Sequence, residues 1–98
     1  MTNKLVSIEL SIESFDGKII ESHTSNDETI VEGFSIREDF DSAWCHMISE
    51  GVCHIETEID NEMYDTACKF IDSPHLEGTI RFDYKCDLPI TIVVTVKK

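Results

Sequence analysis

Apolar and polar residues alternate with period two along the first strand-length of the chain. Over 5–12 the even positions Val6, Ile8, Leu10 and Ile12 are apolar, while the odd ones include Ser7, Glu9 and Ser11. That is the pattern of a half-buried strand. Phe15, Asp16, Gly17 and Lys18 then supply turn chemistry, because Asp and Gly tolerate the backbone angles of a tight reversal. A second short strand is expected over 18–22 around Ile19 and Ile20, then a polar loop over 23–28 and a brief strand over 29–32.

The period changes once. Phe40, Ala43, Trp44 and Met47 stand at i, i+3, i+4 and i+7, which places them on one helix face. Asp39 or Asp41 is expected to cap this helix, the acids Glu38, Asp39 and Asp41 suit its positive end, and Gly51 ends the segment. Trp44 is assigned to the core. Alternation returns over 52–59, where Cys53, Ile55, Thr57 and Ile59 share a face and predict a strand. An irregular stretch is expected over 60–77. A final hairpin follows, with Ile80, Phe82, Tyr84 and Cys86 pointing inward along 79–86, a turn over 87–89 and a strand over 90–96. Many strands and a single helix imply an α+β fold: a curled antiparallel sheet, or half-barrel, wrapped around one short amphipathic helix.

Length and charge narrow the class. With 98 residues there is room for one domain spanning 1–98, and two prolines and four glycines leave little room for linkers. Twenty Asp and Glu against eight Lys and Arg give a net charge of −12. Such a surface repels nucleic acid and anionic lipid and favours a basic protein or peptide partner, besides keeping a small domain soluble. Lys4, Glu9 and Glu13 interrupt any signal-peptide core, and the uncharged run 88–96 is too short for a membrane helix, so a cytoplasmic location is expected. The four cysteines, at 45, 53, 68 and 86, are then expected as reduced thiols. Cys45-His46 and Cys53-His54 lack the CxxC spacing of a zinc site, and neither metal nor cofactor is implied. The sequence holds no GxSxG, P-loop or HExxH, and the abundant carboxylates suit a solvated face better than acid–base machinery.

Segment order carries more information than any motif. The run LSIESFDGKIIES over 10–22, the run GFSIREDFDSAWCHM over 33–47, the turn Ser49-Glu50-Gly51, and Ile71 to His75 followed by TIRFDY over 79–84 stand in sequence. Together they resemble the strand, Asp-Gly turn, helix, long strand, flap and last strand of FKBP-type peptidyl-prolyl isomerases. Those enzymes need no nucleophile: an apolar, aromatic pocket favours the twisted prolyl amide over the planar one. The resemblance places the pocket at Ile20, Glu21, Ile36, Phe40, Tyr64, Ile71 and Phe82. Phe40 stands where the family usually carries a tryptophan floor, Leu10 and Ile20 replace aromatic residues, Glu21 replaces an aspartate, Arg37 brings a charge beside the cavity, and Asp65 replaces a glycine. These losses imply a non-catalytic interaction or chaperone-associated module; a weak isomerase and a small oligomerising protein are the alternatives. Phe40 and Phe82 also suit a plain core. The resemblance leaves 90–96 as an extra strand, expected at a vacant sheet edge; in a second register 91–96 is itself the family's last strand, and Val94 takes the place of Phe82.

Overall fold

The computed structural model describes residues 5–30, 32–50, 55–73, 77–85 and 89–98. Strand β1 (Ser7–Ser14) turns back through Asp16 and Gly17 into β2 (Ile19–Asn26). Gly17 adopts φ 84°, which an L side chain rarely tolerates, and its N–H donates to the Ser14 carbonyl at 2.9 Å. The expected hairpin is therefore present. Its second strand is longer than expected, because His23, Thr24, Ser25 and Asn26 pair with Leu10, Glu9, Ile8 and Ser7. Asn26 then closes the strand: its Oδ1 accepts the N–H groups of Glu28 at 2.8 Å and Thr29 at 3.0 Å. The brief strand expected over 29–32 is absent at 29, 30 and 32, which lie in turns; residue 31 is outside the described set.

Helix α1 (Ile36–Trp44) forms where the spacing predicts, but neither Asp39 nor Asp41 caps it. Ser35 is the cap. Its hydroxyl accepts the Glu38 N–H at 3.0 Å, and the Glu38 carboxylate accepts the Ser35 N–H at 3.3 Å. This reciprocal pair satisfies two donors of the first turn and releases both aspartates for other work. A π-helical turn (Cys45–Ser49) continues the helix, and the Glu50 N–H donates to the Cys45 carbonyl at 2.9 Å. Met47 and Ile48 thereby join the buried face.

Residues 55 and 56 lie outside regular structure, and Thr57–Asp72 form a second helix, α2, where a strand and an irregular stretch were expected. Ile59, Met63, Ala67 and Ile71 recur every four residues and line its inner side, with Met63, Ala67 and Ile71 buried. The first half of the expected strand, 52–54, is outside the described residues.

Strands β3 (Gly78–Tyr84) and β4 (Ile90–Lys97) complete an antiparallel sheet of order β2-β1-β4-β3. β4 pairs with β1 along Ser7–Ser14 and with β3 along Gly78–Tyr84. The C-terminal strand is thus interior to the sheet and not at its edge. Ile8, Leu10 and Ile12 of β1 and Ile90, Ile92, Val94 and Val96 of β4 share one face and form a single buried cluster with Phe40, Trp44, Met47 and the inner side of α2. Each large side chain removed from water there contributes about 1.5–3 kcal/mol. The opposite face carries Glu9, Thr24, Thr79, Arg81 and Lys97, as the alternation in the register requires. The architecture is α+β, with two helices on one face of a four-stranded sheet instead of one helix inside a half-barrel. Its radius of gyration, 13.3 Å, matches the roughly 13 Å of a folded chain of about 100 residues.

Candidate functional site

Five of the seven residues singled out from sequence meet in the core. Ile36, Phe40, Tyr64, Ile71 and Phe82 belong to, or pack against, the same cluster. Phe40 and Tyr64 stack with centroids 6.5 Å apart, and Trp44 stands 6.0 Å from Phe40, 5.7 Å from Tyr64 and 6.4 Å from Phe82. Trp44 therefore fills the space among the three rings. Phe40 is 1% exposed and Ile71 4%.

Arg37 covers this cluster from outside. Its guanidinium carbon lies 5.8 Å from the Phe40 centroid and 5.9 Å from that of Tyr64, within cation–π range. The same guanidinium donates to Asp41 and, at 3.3 Å, to Asp72. Asp41 also accepts the Tyr64 hydroxyl proton. Burial and the hydrogen bond to Asp41 push the Tyr64 phenol above its ordinary pKa, so it stays a donor. The charge that sequence places beside a cavity is in fact paired, and it closes the aromatic cluster.

A second, partly buried anchor joins the first helical segment to α2. The Trp44 Nε1–H donates to Asp60 Oδ1 at 2.7 Å, and the Ser49 hydroxyl donates to Asp60 Oδ2 at 2.6 Å. Asp60 stands in the first turn of α2, where the helix dipole favours a carboxylate.

The remaining two residues lie elsewhere. Ile20 is half exposed on β2, at the bulge where the register shifts between Ile12 and Glu13. Glu21 pairs with Ile12 and so faces the helical side of the sheet, as do His23 and Ser25. Together with Asp39, Ala43, His46 and Met47, Glu21 and His23 line a groove of about 200 Å³ between the edge strand β2 and α1. Its floor is apolar, since Ala43 and Met47 are buried core residues.

Asp39 anchors the groove. Its Oδ2 accepts the Ser25 hydroxyl at 2.5 Å and lies 2.7 Å from His23 Nε2. Burial raises the Asp39 pKa, but the hydrogen bonds from Ser25 and His23, together with the charge on His23, outweigh it and hold the carboxyl below its ordinary value. Ser25 is fully buried and bonds the carboxylate rather than the imidazole, so Ser25, His23 and Asp39 do not make a nucleophilic relay. The Glu21 carboxylate makes no hydrogen bond or ion pair among the described residues. The polar composition of 23–28 reads as a loop, yet Glu21, His23 and Ser25 stand at alternate positions, as on one face of a strand.

Among the described residues no group of three His, Cys, Asp or Glu side chains is placed to hold a metal ion. Cys45 and Cys68 carry free thiols, while Cys53, His54, His75 and Cys86 lie outside the described residues, as does Pro74. No described helix is long and apolar enough to cross a membrane. The class reached is an α+β sheet-and-helix domain with a filled aromatic core and an acidic groove beside one sheet edge. Comparison with protein-family models, curated proteins and solved structures finds no match.

Proposed function

We propose that the chain is a non-catalytic protein-interaction domain whose partner is a basic protein or peptide. The observation that carries this is the distribution of a −12 net charge over exposed elements. On the outward side of α2, Glu58, Glu62 and Asp65 are exposed, and Lys69 is the helix's one basic residue. The groove adds Glu21 and Asp39 on the other side of α1. Surfaces of one sign steer partners of the opposite sign and discriminate against like-charged ones.

The resemblance to FKBP-type domains enters this proposal only as an order of segments read from the sequence. The strand, Asp-Gly turn, strand and mid-chain helix fit it. Helix α2 stands where the resemblance expects the end of a long strand and a flap. The filled space around Trp44 supports a non-catalytic role, because prolyl isomerisation needs an open apolar pocket.

The test is titration of the full chain with a short arginine-rich peptide at about 50 and about 300 mM salt. Affinity is expected to fall steeply with salt. Binding that ignores ionic strength, or no binding at either concentration, would reject the proposal.

A further inference from the structure

We infer that the groove between β2 and α1 receives one arginine side chain of the basic partner. The inference rests on the proposed interaction with a basic partner and names where that partner is held.

The groove has the two parts that an arginine requires. Its floor, Ala43 and Met47, is apolar and suits the methylene stem of a long cationic side chain. Its walls carry two carboxylates whose hydrogen-bonding capacity is not used up. The Glu21 carboxylate makes no hydrogen bond or ion pair among the described residues, although the register turns it toward the helices. Asp39 uses Oδ2 for both Ser25 and His23, and its Oδ1 has no partner among the described residues. Those two bonds fix the Asp39 carboxylate in place before any ligand arrives, which lowers the ordering cost of binding.

One of the two carboxylates of the groove, Asp39, already has an ion-pair partner in His23, while the Glu21 carboxylate has none among the described residues. Neither Lys nor Arg lines it; the side chains that do are Glu21, Asp39, serines, two histidines, Ala43 and Met47. Elsewhere, where an arginine of this chain meets carboxylates, it pairs with them: Arg37 with Asp41 and Asp72, Arg81 with Glu13. A guanidinium entering between β2 and α1 completes the same arrangement. Its planar fork of five N–H donors reaches two separate acceptors at once, which a compact ammonium does less well.

The test uses the full chain, isotopically labelled, and short arginine-rich and lysine-rich peptide amides of equal charge. The Ala43 and Met47 methyl signals and the Glu21 and His46 amides are followed during titration. Saturable shifts are expected at these four residues, with the arginine peptide binding more tightly. Glu21→Gln, an exposed change at a sheet edge, is expected to weaken binding about tenfold, as loss of a charge-assisted hydrogen bond does. Glu62→Gln removes the same charge from the outward side of α2 and is expected to change affinity by less than about twofold. Equal losses in the two variants, equal affinity for the two peptides, or shifts centred on α2 would overturn the groove assignment while leaving a basic partner in place. Absence of saturable shifts with either peptide would overturn both.

Discussion

Asp60 joins two elements through two bonds, so its loss exposes how much a single carboxylate can hold. Asp60→Ala leaves the Trp44 indole N–H and the Ser49 hydroxyl without their acceptor. Ser49 is exposed and can turn to water, but Trp44 is buried, and a buried donor left unpaired costs about 1–3 kcal/mol. The variant is expected to unfold at lower urea, by that amount, when followed by Trp44 fluorescence; an unchanged midpoint would refute the anchoring role. Asp39 makes a complementary prediction about pH. Its folded-state pKa lies below the unfolded value, so the ionised group contributes stability above the unfolded pKa of about 3.9. That contribution is lost as pH falls through the lower, folded value. Urea midpoints are expected to drop as pH falls from about 5 through and below the unfolded value, with a shallower drop in Ser25→Ala. Parallel curves for the two proteins would show that Ser25 does not tune the carboxyl. At this scale the residue types were legible and their partners were not. Ser35 and Glu38 spell a capping box in the sequence, yet Asp39 and Asp41 look equally suited to the helix start. What separates them is His23, Ser25 and Tyr64, which reach the aspartates only once the chain has folded.

Among the elements, α1 and the β1–β2 hairpin follow from local pattern, and α2 does not. Ile55 and Ile59 fit both an alternating strand and an i, i+4 helix stripe, so the period over 52–59 is ambiguous. Helix formation further along is indicated by Ile59, Met63, Ala67 and Ile71, but these four are separated by many acids. The packing of α2 is directly testable through two neighbouring positions. Ala67 is fully buried, whereas the exposed Thr66 bonds back to the Glu62 carbonyl at 2.9 Å. Ala67→Leu is expected to destabilise by about 1–3 kcal/mol through overpacking, while Thr66→Ala stays within about 0.5 kcal/mol of the parent. Similar thermal shifts for both would mean that 57–72 does not present this face to the core. The sheet order was equally hidden. A strand as apolar as 90–96 is suited to the interior, and its inner face is Ile90, Ile92, Val94 and Val96, all buried. Val93 on the opposite face is buried too, flanked by Ser11 on β1 and Arg81 on β3. Such two-sided burial belongs to a central strand, not to an edge.

For the whole molecule, the question is whether an apolar space remains for a proline ring. The aromatic residues expected to line one do assemble, but Trp44 occupies their midst and Arg37 lies over Phe40 and Tyr64. A protease-coupled assay on proline-containing peptides is expected to return the uncatalysed rate. Turnover above background that disappears in Phe40→Ala would reverse the non-catalytic proposal. The amino-acid sequence by itself determined the α+β class, the first hairpin, the amphipathic face of α1 and the net charge, because each depends on local periodicity or on simple sums. Only the tertiary structure decided the second helix, the central place of β4, the filling of the aromatic cluster and the groove between β2 and α1. Those features arise from contacts between residues far apart in the chain, such as Trp44 with Phe82 and His23 with Asp39. Periodicity says which side of an element is buried, but the identity of its neighbour is set by how all the buried faces are satisfied together.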